Sequence, residues 1–287
     1  MRGRARGAVA AALMFVAPIS AGAEDGRVAW LQARTIFNSG LRSDHVVALT
    51  FDDGPNARTL DVLNVLKAYN VKATFFVVGR MARLHPEILA RIAADGHLLA
   101  NHGASHVPLT RTYDEHPDRL LDQLREVNAE IAPYMKPRDR LYFRAPFGVW
   151  RREHAEILNA DPVLRNYVGP IFWDVGGGMS KTADGYVMSS SDWECWKAKW
   201  SPKTCAKGYL REIRRKNGGV VLMHCIHAQS AELVRDVVPA LVEEGYSFAR
   251  LDQIPAYRQY DTPPATPVVA SAASLAAVSI ASEALLK

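Results

Sequence analysis

The sequence has few cysteines and lacks the short motifs of several common site classes. It contains three cysteines and no Cys-x-x-Cys pair, which excludes a zinc ribbon and a thioredoxin motif. It has no Walker A loop, and the glycines at 176–178 lack dinucleotide-binding spacing. The segment at 103–107 lacks the second glycine of a nucleophile elbow. Phosphate-binding, dinucleotide-binding and serine-hydrolase sites are therefore disfavoured.

The chain also lacks a large charge excess and a long apolar run. Part of its formal net charge of +5 comes from arginines at 2, 4 and 6, so the basic balance does not indicate nucleic-acid binding. The apolar stretch at 8–19 is too short to span a bilayer comfortably. With small residues at 21–23, it predicts a signal peptide cleaved after Ala23. We expect a secreted or periplasmic protein without stable membrane insertion; an uncleaved N-terminal anchor is the alternative.

Export changes how the three cysteines are interpreted. An oxidising compartment permits one disulfide and leaves one thiol. Cys195 and Cys205 flank a short loop rich in Trp and Lys and are the natural pair, whereas Cys225 follows an apolar strand. Three cysteines allow three pairings, and the sequence leaves all of them open.

Short apolar strands alternate with amphipathic helices along most of the chain. The pattern predicts strands at 46–51, 73–78, 97–101, 141–144, 167–175, 220–224 and 247–251, and helices at 57–69, 86–94, 114–132, 152–160, 207–216 and 230–244. This order predicts an α/β fold with a parallel sheet covered by helices, closed or nearly closed into a barrel. An open doubly wound sheet is the alternative, and both place the chemistry at the C-terminal ends of strands.

Two segments interrupt this alternation. Residues 176–206 have no clean period and form an insertion, and residues 259–287 are a tail rich in Pro, Ala and Ser. With a signal peptide at 1–23 and an N-terminal extension at 24–43, these bounds leave a single domain at 44–258.

Candidate metal ligands follow two of the strands. Asp52 and Asp53 end one of them, and two adjacent carboxylates at an apolar strand end need compensation, usually from a cation. His102 and His106 follow another, and Gly103 favours a loop around an ion over a helix. Two imidazoles and one carboxylate suit zinc or a similar divalent ion and leave positions open for water.

Arg144 and His224 end two further strands. An arginine in such a place normally pairs with a carboxylate, and Asp52 is the obvious partner. A histidine is a candidate proton donor, because its reference pKa lies near working pH. These residues together predict a metal hydrolase. They comprise an Asp, a His-x-x-x-His pair, an Arg and a His, each at the end of a separate strand.

These segments resemble the motifs of the polysaccharide deacetylases with a NodB-type domain, carbohydrate esterase family four. The matching segments are TFDDGP at 50–55, HGASH at 102–106, RAPF at 144–147 and LMH at 222–224, in family order. The resemblance extends over roughly 44–255 and implies a distorted (β/α) barrel with fewer than eight repeats. It also implies metal-dependent removal of N-acetyl groups from a polysaccharide that contains N-acetylglucosamine, of peptidoglycan or chitin type.

The resemblance implies a role for each polar residue around the metal. Asp53, His102 and His106 would bind Zn²⁺ or another divalent transition metal such as Co²⁺. Asp52 would be the base that activates the attacking water, and Arg144 would hold Asp52 in place.

Further roles concern the leaving group and the acetylated polysaccharide. His224 would protonate the leaving amine, and the backbone N–H of Phe147 would help to stabilise the oxyanion. Pro146, Phe147 and Trp193 would contact the substrate. Because exposed aromatic rings stack on sugars, we expect the insertion, closed by a Cys195–Cys205 disulfide, to form one wall of the substrate groove.

The sequence departs from the family pattern at two places. A glycine follows the first histidine of the second motif, where the family has Ser or Thr, so a supporting hydroxyl is missing. The fourth motif, usually compact, is divided between residues 173–174 and 192–193. We favour Asp174 over Asp192 as the partner of His224, because Asp174 ends a predicted strand.

Two rival functions stay open at this level. An esterase that removes O-acetyl groups from a polysaccharide would use the same side chains. A non-catalytic carbohydrate-binding protein would have the same fold but would lack a ligand or the base, and none is missing here.

Overall fold

The computed structural model describes residues 31–36, 41, 44–109, 116–137, 139–181 and 187–258. The predicted signal peptide and the tail at 259–287 therefore lie outside the described residues. Within the ranges given, no helix has the length and the apolar character needed to cross a membrane.

Most of the strands are parallel and form a ring around a buried interior. The strands are β1 (Leu31–Ile36), β2 (Val46–Asp52), β3 (Thr74–Val77), β4 (Leu98–Asn101), β5 (Leu141–Tyr142), β6 (Tyr167–Ile171), β7 (Met179–Lys181), β8 (Val187–Ser189), β9 (Gly218–His224) and β10 (Ser247–Phe248). β9 pairs with the whole of β2, while β10 and β3 pair with the start and the end of β2. β3 continues to β4, and β1, β6 and β5 form a second parallel group.

Two isolated bridges join these groups into a barrel. Asn101 bridges to Phe143 beyond β5, and Val175 beyond β6 bridges to Val221 in β9. The predicted distorted barrel with fewer than eight repeats is confirmed, and the ring excludes an open doubly wound sheet. β1 lies in the predicted N-terminal extension at 24–43, yet it pairs with β6, so the barrel begins earlier in the chain than expected.

Helices follow most strands. They are α1 (Ala57–Ala68), α2 (Gly79–Leu84), α3 (Pro86–Ala94), α4 (Pro117–Ile131), α5 (Arg152–Ala160), α6 (Asp192–Lys197), α7 (Pro202–Lys216), α8 (Ser230–Glu243) and α9 (Pro255–Arg258), with short 3₁₀ turns at Ala132–Tyr134, Pro146–Gly148, Leu164–Asn166 and Leu251–Gln253. α4 buries residues spaced three or four apart, from Leu120 to Ile131, as an amphipathic helix must.

The structure differs from the predicted elements at three helices. α2 begins at Gly79, which the sequence pattern treats only as the end of a strand. The insertion contains the antiparallel hairpin of β7 and β8, followed by α6. α7 begins at Pro202 instead of residue 207, because the Ser201 side chain caps it and proline suits a first turn.

Alternate strand residues fill the barrel interior. The interior cluster draws on several strands and includes Ala48, Phe76, Ala100, Tyr142, Val168 and Val220. Their chain neighbours, such as Val47 and Val221, pack with residues of the surrounding helices. Because side chains alternate along a strand, Asp52 and His224 face the interior at its C-terminal end, and they are direct partners in the register of β2 and β9.

Candidate active site

The adjacent carboxylates at the end of β2 point in different directions. Asp52 is buried, and its Oδ1 lies 2.7 Å from Nη1 of Arg144. Asp53 has a positive φ of 72°, which turns the chain sharply as it leaves the strand. Oδ1 of Asp53 therefore lies outside the strand register, 3.1 Å from Nε2 of His106.

Two histidines meet Asp53 from the loop that follows β4. Nδ1 of His102 lies 2.8 Å from the carbonyl oxygen of Arg144, which can only accept, so Nδ1 carries the proton. Nε2 of His102 thus directs its lone pair at Oδ1 of Asp53, 3.4 Å away. Positive φ values at Gly103 and His106 curl this loop back over the strand end, as its glycine predicts.

The residues present fit a divalent metal. One ligand atom each from Asp53, His102 and His106 lies within 4.8 Å of the others. Oδ1 of Asp53 is buried and makes no hydrogen bond, although two imidazole nitrogens face it. A carboxylate and two imidazoles suit zinc and similar transition metals.

Arg144 fixes the orientation of Asp52 from inside the barrel. Its side chain is 1% exposed, and Nη1 donates both to Asp52 and to the Thr50 hydroxyl, the latter over 2.9 Å. Nε donates to the carbonyl oxygen of Ile171 over 3.1 Å, and the guanidinium lies 4.1 Å from the ring centroid of Phe76. Oδ2 of Asp52 stays on the side of the histidines, 3.6 Å from Nε2 of His102.

His224 is held by a buried carboxylate from the insertion. Oδ1 of Asp192 lies 2.7 Å from Nδ1 of His224, and Oδ2 accepts from the backbone N–H of His224, also over 2.7 Å. Burial disfavours the charged imidazole, but Asp192 outweighs burial and raises the pKa of His224 to about 9. Nε2 of His224 faces the metal ligands, 3.9 Å from Oδ2 of Asp53.

This pairing corrects the expected partner of His224. The sequence favours Asp174, but Oδ2 of Asp174 accepts the backbone N–H of Val220, at 2.9 Å, and so stabilises the path of β9. Asp192 takes the role because α6 packs against β9. The hydroxyl of Tyr209 accepts the N–H of Asp192 and donates to Leu222, with both distances at 3.0 Å. The Asp-Trp pair at 192–193 is the sequence signal that indicates Asp192 as the alternative partner of His224.

Aromatic side chains surround the polar centre. A cavity of about 490 Å³ contains the metal ligands, Asp52 and His224, and its other lining residues include Phe147, Trp173, Trp193, Ile226 and His227. Phe147 is 61% exposed and Trp193 is 48% exposed, so both offer ring surface to a ligand. Phe147 has a φ of 58° and packs on His106, with the ring centroids 4.5 Å apart. Pro146, the other residue expected to contact the substrate, is buried and is not among the lining residues of this cavity.

The disulfide between Cys195 and Cys205 is present, as the spacing favoured. It ties α6 to α7 and leaves Cys225 as a buried thiol. α6, which carries Asp192 and Trp193, is therefore covalently attached to α7.

Comparisons with known proteins agree with this barrel fold and define the class of protein as a polysaccharide-deacetylase-type hydrolase. A family profile described as polysaccharide deacetylase matches residues 40–163. The chain is similar to the peptidoglycan-N-acetylmuramic acid deacetylase PdaA of Bacillus subtilis, with 29% identity over 76% of this chain and 74% of that protein. It is similar to a peptidoglycan-N-acetylglucosamine deacetylase of Bacillus cereus, with 31% identity over 71% of this chain and 68% of that protein.

The structural comparison gives the same result. A solved structure described as T48 deacetylase with substrate matches with a TM-score of 0.58 and 27% identity, over 74% of this chain and 90% of that one. The chain belongs to the polysaccharide deacetylase family of hydrolases.

Proposed function

We propose that this protein hydrolyses the N-acetyl amide of a polysaccharide that contains N-acetylglucosamine, of peptidoglycan or chitin type. One observation carries the proposal: Asp52 and His224 flank the Asp53–His102–His106 triad in one cavity, and each is held by a buried partner. The two similar Bacillus peptidoglycan deacetylases match over more than two thirds of this chain, whereas similar chitooligosaccharide deacetylases match over less than half of it, which favours peptidoglycan over chitin.

The triad would hold Zn²⁺ or another divalent transition metal such as Co²⁺. Bound there, the ion would polarise the acetyl carbonyl and lower the pKa of water. Asp52 would take the proton of the attacking water on Oδ2, because Oδ1 is occupied by Arg144. The backbone N–H of Phe147, in the positive-φ turn at the cavity wall, would donate to the oxyanion.

His224 would complete the reaction as general acid. Asp192 accepts from Nδ1, so the proton on Nε2 faces the cavity and is available to the leaving amine. An amine leaves poorly without protonation, so this arrangement suits amide hydrolysis. Acetate and a free amino sugar would be the products.

Acetate release from a substrate panel tests the function. The panel contains oligomers of N-acetylglucosamine, peptidoglycan and an O-acetylated xylan, each with wild type and with Asp52→Asn. We expect acetate from the N-acetyl substrates and a loss of about 10²–10⁴-fold in Asp52→Asn, while the exposed-carboxylate control Asp61→Asn keeps its rate. Acetate from the xylan alone would identify an O-acetyl esterase, and glycan binding without acetate would identify a non-catalytic binding protein.

We also propose export to the periplasm or beyond the cell, with residues 1–23 removed. The signal-peptide pattern and the presence of a disulfide support this location. Mass spectrometry of the mature protein should find Glu24 at the N-terminus. Retention of Met1 would contradict cleavage.

A further inference from the structure

The end of the insertion and the helix that continues from it carry a concentration of positive charge. Between residues 193 and 211 the chain has five Lys or Arg residues and one carboxylate, Glu194. Lys197, Lys203 and Lys207 are all exposed. Among the ion pairs and side-chain hydrogen bonds of the described residues, none involves these three ammonium groups. We call these three residues the insertion face.

Helical spacing places one lysine of the insertion face on the same side of its helix as a residue that lines the active-site cavity. Lys197 lies four residues after Trp193 on α6, so both side chains project from one face of that helix, and Trp193 lines the cavity. Lys203 and Lys207 share a face of α7 in the same way. The disulfide between α6 and α7 keeps the two helices together.

The topology places Lys203 at the rim of the barrel. α7 leads into β9, whose last residue is His224, so α7 runs from the active-site end of the barrel toward the opposite end. Lys203, in the first turn of α7, therefore lies at the end of the barrel where catalysis occurs. Lys207 lies one turn lower, about 6 Å along the axis.

Lys197 lies in the last turn of α6, where the helix dipole favours a cation, but Lys203 and Lys207 do not stabilise α7. Like charges four residues apart on a helix repel by about 0.2–0.5 kcal/mol per pair. α7 also begins with Lys203 in its first turn, where the helix dipole disfavours a cation. Helix stability therefore does not account for the cations at Lys203 and Lys207.

We propose that the insertion face binds an anionic stretch of the glycan substrate beyond the sugar in the cavity. The inference rests on the proposed function and makes it more specific: the preferred polymer carries carboxylates next to its N-acetyl sugars. Three point charges on this face would attract and align such a chain, and Trp193 would stack on the sugar between the charges and the site.

A lipid surface fits the insertion face less well. Membrane-surface helices combine cations with apolar residues that enter the headgroup region. The large exposed apolar side chains described in this structure are Tyr69, Leu84, Phe147, Val163, Trp193 and Val242. Trp193 alone of these lies on α6 or α7, and it lines the cavity.

Charge removal tests the proposal. The variant combines Lys197→Gln, Lys203→Gln and Lys207→Gln, and the control removes three exposed cations elsewhere, with Lys67→Gln, Lys136→Gln and Arg235→Gln. The substrates are soluble glycan strands with muramic acid carboxylates and the neutral pentamer of N-acetylglucosamine. We expect KM for the anionic strands to rise about fivefold at low salt in the variant only, and the difference to disappear at high salt.

Two outcomes of the kinetic assay would overturn the proposal. One is an unchanged KM for the anionic strands; the other is an equal rise for the neutral pentamer. A binding assay without turnover distinguishes this failure from failure of the proposed function. Asp52→Asn is introduced both alone and together with the three Lys→Gln substitutions, and each protein is sedimented with insoluble peptidoglycan. Weaker sedimentation of the variant supports the insertion face even if no acetate is released. Loss of binding to vesicles of anionic lipid, with peptidoglycan binding intact, would assign the face to membranes instead.

Discussion

Asp192→Asn tests the part of the site that the insertion supplies. The side chain is 1% exposed, and its two oxygens bind the backbone N–H and Nδ1 of His224. Asparagine keeps the shape but removes the negative charge. The largest of the contributions that offset burial is then lost, so the pKa of His224 falls and a smaller fraction of the imidazole carries the proton that the leaving amine needs.

The size of the loss follows from the role of His224 as a proton donor. Loss of a general acid lowers the rate by about 10²–10⁴-fold when the leaving group needs a proton. An activated aryl acetate leaves without protonation, so its hydrolysis should change much less. We expect Asp192→Asn to lower kcat for N-acetylglucosamine oligomers by about 10²-fold or more, with metal content unchanged.

Asp174→Asn is the matched control, because Asp174 is buried too and binds a backbone N–H of the same strand, that of Val220. It should lower the free energy of unfolding by about 1 kcal/mol and leave the ratio of amide to ester rates near that of wild type. The reasoning is refuted if Asp192→Asn slows both substrates equally, or if Asp174→Asn reproduces its selective loss.

Three further predictions concern the metal, the disulfide and the effect of pH on stability. Asp53→Ala should lower bound metal and activity together, and full metal content in this variant would show that Asp53 is not a ligand. Cys195→Ser with Cys205→Ser should lower the free energy of unfolding by about 2–3 kcal/mol, through the entropy of a short loop. The double variant should weaken activity on long glycans more than on a small acetylated substrate. Equal losses on both substrates would contradict the prediction that the insertion forms one wall of the substrate groove. Burial lowers the pKa of His97 to about 4 in the folded protein. As the pH falls below 6.5, His97 is therefore protonated in the unfolded chain but stays neutral in the folded one. Acidification through that window should therefore cost up to about 3 kcal/mol of stability, and urea unfolding of His97→Asn should show a flatter slope with pH.

Local patterns were sufficient for the barrel and for most positions at its C-terminal end. Alternation along the strand of residues 46–52 turns Asp52 inward, and a Gly after His102 allows the chain to curl back toward Asp53. Both effects act over a few residues, so they can be recognised in sequence. Parallel strands then bring these side chains together, because their C-terminal ends share one edge of the sheet.

Only the tertiary structure decided how the insertion completes the site. Asp192 is 32 residues from His224 in the chain. The local pattern favours Asp174 as the partner of His224, because Asp174 ends a predicted strand. The choice depends on how α6 packs against β9, which the Tyr209 hydroxyl and the disulfide enforce. The same holds for β1, whose pairing with β6 joins residues about 135 positions apart. Such contacts come from the packing of whole elements, and no short segment of the sequence encodes them.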